Sequence, residues 1–358
     1  MLIRLNKWIS KIIFPTLIIL VTGLIALANY ESGTFLSGWD TLHPEFNLPL
    51  YLERSFYGVW QEHQGLGAVA SQAHIAELPR LLIVYLLMAI LPLSVVRYAF
   101  FFLSLTIGAL GSYFFSKYLL SRERTSYVKQ ASFLASLFYV LNLTTVQQFY
   151  VPLEMFAVHF AALPWLFYLA SRYLRENGIK ILVWFSLATV FAAPMAHTPT
   201  LWYVYFASLL VYIFFVVAIK RRDLQLKRGV ILVILTLALN AFWILPNLYF
   251  VKNHAQEVSN SQIHRIFSDE AFLQGKSFGS VEDLALSKNF LFNWREFDFS
   301  SNTFVDLLDE WKIHLGKPWV KEIGYGLFAI AIFGILVSFL SKSSYLLSLF
   351  PLFVLFFF

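Results

Sequence analysis

Charged side chains are scarce in this chain, so the few that border apolar runs are the ones to question for chemistry. Arg80 stands near the head of "PRLLIVYLLMAILPL", and Arg97 opens the apolar run that follows. A guanidinium presents paired donors that match phosphate oxygens, so arginines at a membrane boundary suit a lipid phosphate; the same placement also serves snorkelling to headgroups. Arg265, beside His264, is a third such candidate. The stretch "SGWDTLHPEFN" (37–47) sets Asp40 and Glu45 just beyond the first apolar segment. Either carboxylate can accept a proton from a hydroxyl, and a loop aspartate can equally cap a helix or turn, with Thr41 and Pro44 as turn chemistry. Glu154 and His197, the latter in "APMAHTPT", fall in short turns, where they can line a cavity facing the first loop or serve only the turn.

The elements that must position these groups are membrane helices. The chain has 358 residues, 59% hydrophobic and 13% charged, with mean hydropathy +0.67. That composition is an all-α, multi-pass integral membrane protein, read here as one polytopic domain over residues 1–358. Cysteine is absent, which removes disulfides, thiolate nucleophiles and Cys-ligated zinc. The net charge of +6 comes largely from short basic clusters between apolar runs, where it sets topology; no nucleic acid partner is expected. The final "PLFVLFFF" stops inside an apolar run, which reads as a chain cut short.

A bilayer core of about 30 Å needs roughly 20 apolar residues per helix. Arg4, Lys7 and Lys11 precede the first run, which places the N-terminus in the cytoplasm and residues 30–96 outside. Ala26-Leu27-Ala28 imitates a cleavage site, but the run is longer than a signal core and reads as a retained anchor. The segment 79–93 decides the rest. If it crossed, the basic loops 116–129 and 220–228 would lie outside; it is short and proline-bounded, so it reads as an interfacial helix that does not cross. Spans are then expected at 12–29, 97–119, 130–149, 155–173, 180–194, 200–219, 229–248 and 323–340, with 345–358 opening another. The protein is placed in the plasma membrane, with polar chemistry on the outer face and a long outer loop over 249–320. Trp39, Trp60, Trp202, Trp243 and Trp319 near span ends predict an aromatic belt. Ala131, Ser132, Ala135 and Ser136 have the spacing of close helix contact.

Several chemistries lack support. Gly275-Lys276-Ser277 resembles the end of a phosphate loop, but Glu270 stands where that motif needs glycine. No H-E-x-x-H, G-x-S-x-G or G-x-G-x-x-G occurs. The spans hold few acids or bases away from their ends, which disfavours an ion-coupled transporter. Asp298, Asp306 and Asp309 lack calcium-loop spacing, so no metal site is assigned. Glu53 and Glu62 follow an amphipathic pattern with Leu48, Leu52, Phe56 and Val59, and read as the solvated face of an interfacial helix.

The run "GWDTLHPEFNLPLYLERSFYGVWQEHQGLGAVASQAHIAELPRLL" carries a more specific signal. With its basic N-terminus, single span, outer acidic loop and short non-crossing helix, the chain resembles the C-type glycosyltransferases. Within them it is most similar to the membrane domain of the arabinofuranosyltransferase D family, through Gly38 to Asp40, Trp60, Gly67 to Gln72 and Pro79 onward, with Ser71 where that family carries Asn. The resemblance covers the first 130 residues and beyond them only the general pattern of spans. It implies a GT-C-like helical bundle with outer juxtamembrane helices and an outward-facing loop cavity. It also implies transfer of a sugar, a pentofuranose such as arabinose being one candidate, from a polyprenyl-phosphate donor to a cell-envelope glycan or lipid-linked acceptor. Asp40 would be the base, with Glu45 second; Gln72 and His74 would contact sugar or acceptor hydroxyls. Arg80, Arg97 and Arg265 would face the phosphate, and Glu154 and His197 would line the cavity. A leaving phosphate needs only one carboxylate base and cationic donors, unlike hydrolysis of a glycoside by paired acids. No cofactor is expected; membrane lipids, donor and acceptor are the partners. The alternatives are a lipid-linked sugar flippase or transporter and a non-catalytic membrane subunit.

Overall fold

Apolar runs with no place to hide their backbone groups become helices, since only internal hydrogen bonding satisfies N–H and C=O in lipid. The computed structural model describes residues 2–38, 43–61, 67–121, 126–220, 223–260, 279–288, 290–341 and 349. In chain order these form α1 (Leu2–Ala28), α2 (Leu48–Phe56), a two-residue ribbon β1 (Trp60–Gln61) and β2 (Ala68–Val69), α3 (Ala73–Ala76), α4 (Leu78–Met88), α5 (Leu93–Leu120) and α6 (Val128–Leu141). There follow α7 (Leu143–Tyr150), α8 (Glu154–Glu176), α9 (Ile179–Phe191), α10 (Pro199–Lys220) and α11 (Asp223–Asn260). The last elements are α12 (Val281–Ala285), the hairpin β3 (Arg295–Asp298) and β4 (Thr303–Asp306), α13 (Asp309–Gly316) and α14 (Pro318–Ser341). The all-helical membrane class expected from sequence holds.

Six helices among the described residues are long and apolar enough to cross a membrane: those over 93–120, 154–176, 179–197, 199–219, 224–254 and 318–340. The apolar part of α1 is the shorter Ile12–Ala28. Segment 79–93 folds as α4, which has 11 residues. At 1.5 Å per residue that is about 16 Å, half of what a crossing requires.

Three expectations need correction. The span expected over 130–149 is two helices, because Asn142 leaves the helical conformation at ψ 156°. Its carboxamide accepts from Thr145 N at 3.0 Å and donates to Phe138 O at 2.8 Å, ending α6 and capping α7 in one residue. The outer loop expected from 249 begins instead as twelve further residues of α11, which runs past Pro246 to Asn260. Trp202 and Trp243 are not belt residues: both are buried and meet edge to face, ring centroids 4.9 Å apart. Trp60 and Trp319 are exposed as expected.

Close packing follows from small residues. Gly108 and Gly111 of α5 leave room for Phe160 and for Pro164 and Trp165 of α8; a Cβ at Gly111 would lie 2.7 Å from Trp165 Nε1. Trp165 Nε1 donates across this contact to Ile107 O at 2.9 Å. Ser136 of α6 donates to Ala109 O at 2.7 Å, which places the expected small-residue face of α6 on α5.

The connections sort to two ends of the bundle by direct contact. At one end Arg228 donates to the terminal carbonyls of α8, Leu174 and Arg175, where a cation complements the helix dipole. At the other end Gln72 reaches His197, Arg97 reaches Pro152, and Thr144 and Gln147 both donate to Ser287 O. The described residues within 29–92, 151–153, 192–198 and 279–316 therefore share that end, the arrangement that a non-crossing α4 requires. There Val151 packs with Leu291, Phe292 and Leu308, seating the 279–316 segment against the α7–α8 turn.

Candidate functional site

The polar end holds a cluster of ionised side chains withdrawn from solvent. Pro79 lies in the first turn of α4, a position its fixed φ suits. Glu77 immediately precedes the helix and Arg80 lies one turn on, so the two meet at spacing i,i+3, Arg80 Nε donating to Glu77 Oε2. Glu154 is the first residue of α8, where the helix dipole favours a carboxylate. Its Oε1 accepts from Arg97 Nη1 at 2.6 Å and from Arg80 Nη1 at 3.4 Å. Arg97, in the first turns of α5, also donates through Nη2 to Pro152 O at 3.1 Å. The guanidiniums sit over Phe100 (Arg80, 5.9 Å) and Phe101 (Arg97, 5.3 Å), so aromatic faces replace part of their lost hydration.

Two further groups close the cluster. Glu45, 5% exposed, lies on the 3-10 turn Pro44–Phe46, and its Oε1 is 2.8 Å from His43 Nδ1. His197 Nδ1 lies 3.4 Å from Glu77 Oε1, near enough for charge attraction but misaligned for a hydrogen bond. The carbonyl of His197 accepts from Gln72 Nε2 at 3.3 Å; Gln72 Oε1 accepts from Asn247 Nδ2 at 2.7 Å, and Tyr203 donates to Asn247 Oδ1 at 2.6 Å. A polar chain thus ties α10 and α11 to the loop that carries α3.

Burial alone would raise the pKa of Glu77, but the guanidinium of Arg80 and the neighbouring His197 outweigh it and hold the carboxyl below its ordinary 4.5. Burial likewise works against the charge on Arg80, and Glu77, Glu154 and Glu45 together overcome it and raise its pKa. Three carboxyl side chains, Glu45, Glu77 and Glu154, face two guanidiniums, with His43 and His197 at the edge of the group. The cluster therefore holds two guanidinium forks in fixed positions.

An apolar cleft of about 500 Å³ adjoins it. Its walls come from the end of α1 (Ile25, Asn29), from Leu36, from α5 (Phe101, Phe102, Leu105), from the α6–α7 junction and from Trp311 of α13. Phe101 lies beneath Arg97, and Pro152, which also lines the cleft, accepts from that arginine. Arg97 thus lies behind one part of the cleft wall, one residue removed from the space itself.

Of the residues expected from sequence, Glu45, Gln72, Arg80, Arg97, Glu154 and His197 are brought together here. His74 lies two residues after Gln72 on α3, half-buried, its carbonyl accepting from Glu77 N at 3.2 Å. Asp40 and Arg265 fall outside the described residues; Gly38 and His43 flank the former. Sequence reasoning passed over Glu77 and Asn247. The first was readable as the acid three residues before Arg80, the second as an amide beside Pro246 within an apolar run. No family profile, curated protein or solved structure matches this chain.

Proposed function

We propose that this protein is a membrane-embedded glycosyltransferase that takes a sugar from a polyprenyl-phosphate donor and passes it to a glycan or lipid-linked acceptor on the outer face. The observation that carries the reading is the junction of the apolar cleft with the buried Arg80–Arg97–Glu154 cluster. An amphiphile with a long hydrocarbon tail and a phosphate head suits that combination, a mostly apolar cleft with Arg97 held just behind its wall at Phe101 and Pro152.

In this reading the isoprenoid lies along Phe102, Leu105 and Val146, and its phosphate takes one guanidinium from Glu154. The acceptor hydroxyl attacks the anomeric carbon as its proton passes to a carboxylate. The bond from that carbon to phosphate oxygen breaks, and the phosphate leaves as a dianion stabilised by the arginines. Asp40 is the base that the sequence resemblance favours; Glu45, already bonded by His43, is the second.

That each arginine already has a carboxylate partner favours one other reading, a non-catalytic subunit in which the cluster only ties helices together. The two separate in reconstituted liposomes. A catalytic cleft predicts that Val146→Trp raises KM about tenfold for a long-chain donor and less for a donor with a two-isoprene tail. A tie predicts no transfer from any donor.

A further inference from the structure

A second concave site lies on the first loop, apart from the cleft. Its volume is about 660 Å³, and its wall is formed by Glu53, Arg54, Phe56, Tyr57 and Trp60, with Leu50 and Val59 behind. Phe56, Tyr57 and Trp60 are 77%, 70% and 51% exposed, an expensive amount of aromatic surface for a nine-residue helix and the ribbon after it.

The indole is held in place. Trp60 pairs with Val69 across the β1–β2 ribbon. Gly67, at φ +98°, lays its backbone against the ring so closely that a Cβ there would collide with it. Gly58 similarly lets the end of α2 come down on Ile75 of α3, where a Cβ would lie 2.6 Å from Ile75 Cγ1. The result is a fixed indole face beside the exposed rings of Phe56 and Tyr57, joined through α3 to Gln72. Beside it Glu53 offers acceptors, and Arg54 keeps its Nε buried without a hydrogen-bond partner, its guanidinium over the Tyr51 ring at 5.7 Å.

We propose that this site binds a carbohydrate chain and is the acceptor subsite of the transferase, an inference that rests on the function proposed above. Sugar rings present C–H faces to aromatic rings and hydroxyls at their edges, and this wall supplies both partners: aromatic faces, a carboxylate and a guanidinium. The bilayer is the competing occupant, since exposed aromatic residues also anchor interfacial helices. A concave wall that sets Glu53 and Arg54 beside the rings favours the sugar, whose hydroxyls pair with carboxylate and guanidinium alike.

The test is binding without turnover. The full-length protein in nanodiscs, wild type and Asp40→Asn, is titrated with soluble linear arabinan, mannan and glucan hexasaccharides. Binding is followed by the part of the tryptophan fluorescence that Trp60→Phe removes and, independently, by calorimetry. At least one hexasaccharide should bind both proteins; Trp60→Ala and Gly67→Val should weaken it about tenfold or more, while Trp60→Phe, which keeps a ring, retains it. In transfer assays Trp60→Ala should raise the acceptor KM with donor KM and kcat unchanged. Failure of every hexasaccharide to bind overturns the proposal, as does quenching of the Trp60 signal by brominated phospholipid with no response to sugar. Binding with no transfer from any donor would overturn the transferase reading and leave the carbohydrate site standing.

Discussion

Glu154 is shared by two buried arginines, so each partner's removal strands a charge. Taking one member from a buried pair costs about 3–5 kcal/mol, whereas replacing a whole pair by apolar residues is often neutral. Glu154→Ala should therefore destabilise the protein by about that amount. Arg97→Met with Glu154→Leu should recover much of the loss, a double-mutant cycle readable by equilibrium unfolding in mixed micelles. Glu77 adds a pH dependence. Its folded pKa is depressed by Arg80 and His197 against the opposing effect of burial. Its contribution is therefore present above the unfolded value near 4.5 and is lost as pH falls through the lower folded value. Stability should drop below about pH 4.5, and Glu77→Gln should flatten that part of the profile. Equal slopes in wild type and variant would refute the assignment. At this scale the sequence was legible where chemistry is rare: Arg80, Arg97 and Glu154 draw attention because little else at the ends of apolar runs is charged. Their pairing with one another was not legible, because Arg97 and Glu154 stand 57 positions apart and only the packing of α5 on α8 joins them.

Helix lengths decide where those residues arrive. Because α4 is too short to cross, α5 descends from the same end at which α1 arrives, and Arg97 meets Glu154. The shortness of α4 was readable from its bounding prolines, and charge placement led to the expectation that it does not cross. The division of 130–149 was not expected, although 142–150, "NLTTVQQFY", is visibly more polar than the run before it; the break itself is made by one side chain, Asn142. Removing its cap through Asn142→Ala should cost about 1 kcal/mol, and hydrogen exchange should rise first in α7. Exchange unchanged in α7 would show that tertiary contacts alone hold it, among them the bonds from Thr144 and Gln147 to Ser287 O. The buried Trp202–Trp243 contact carries the converse lesson. Tryptophan near a span end reads as a belt residue until the neighbouring helix is known, and here α10 and α11 cover both rings.

Over the whole molecule, segments far apart in sequence meet at one end of the bundle, and an apolar cleft opens beside the charged cluster they form. The absence of cysteine makes the topology directly measurable. A cysteine at Glu31 and one at Tyr127 should react from opposite sides of sealed vesicles; reaction of both from one side would break the assignment of ends. That the protein is an enzyme is best tested by sugar transfer itself. Purified full-length protein, wild type beside Asp40→Asn, is reconstituted in liposomes with a panel of polyprenyl-phosphate sugars and a cell-envelope glycan acceptor. Wild type should transfer at least one sugar, and Asp40→Asn, folded to the same melting temperature, should lose at least a hundredfold in kcat, in line with the contribution of general base catalysis. Absence of transfer from every donor by wild type would contradict the account.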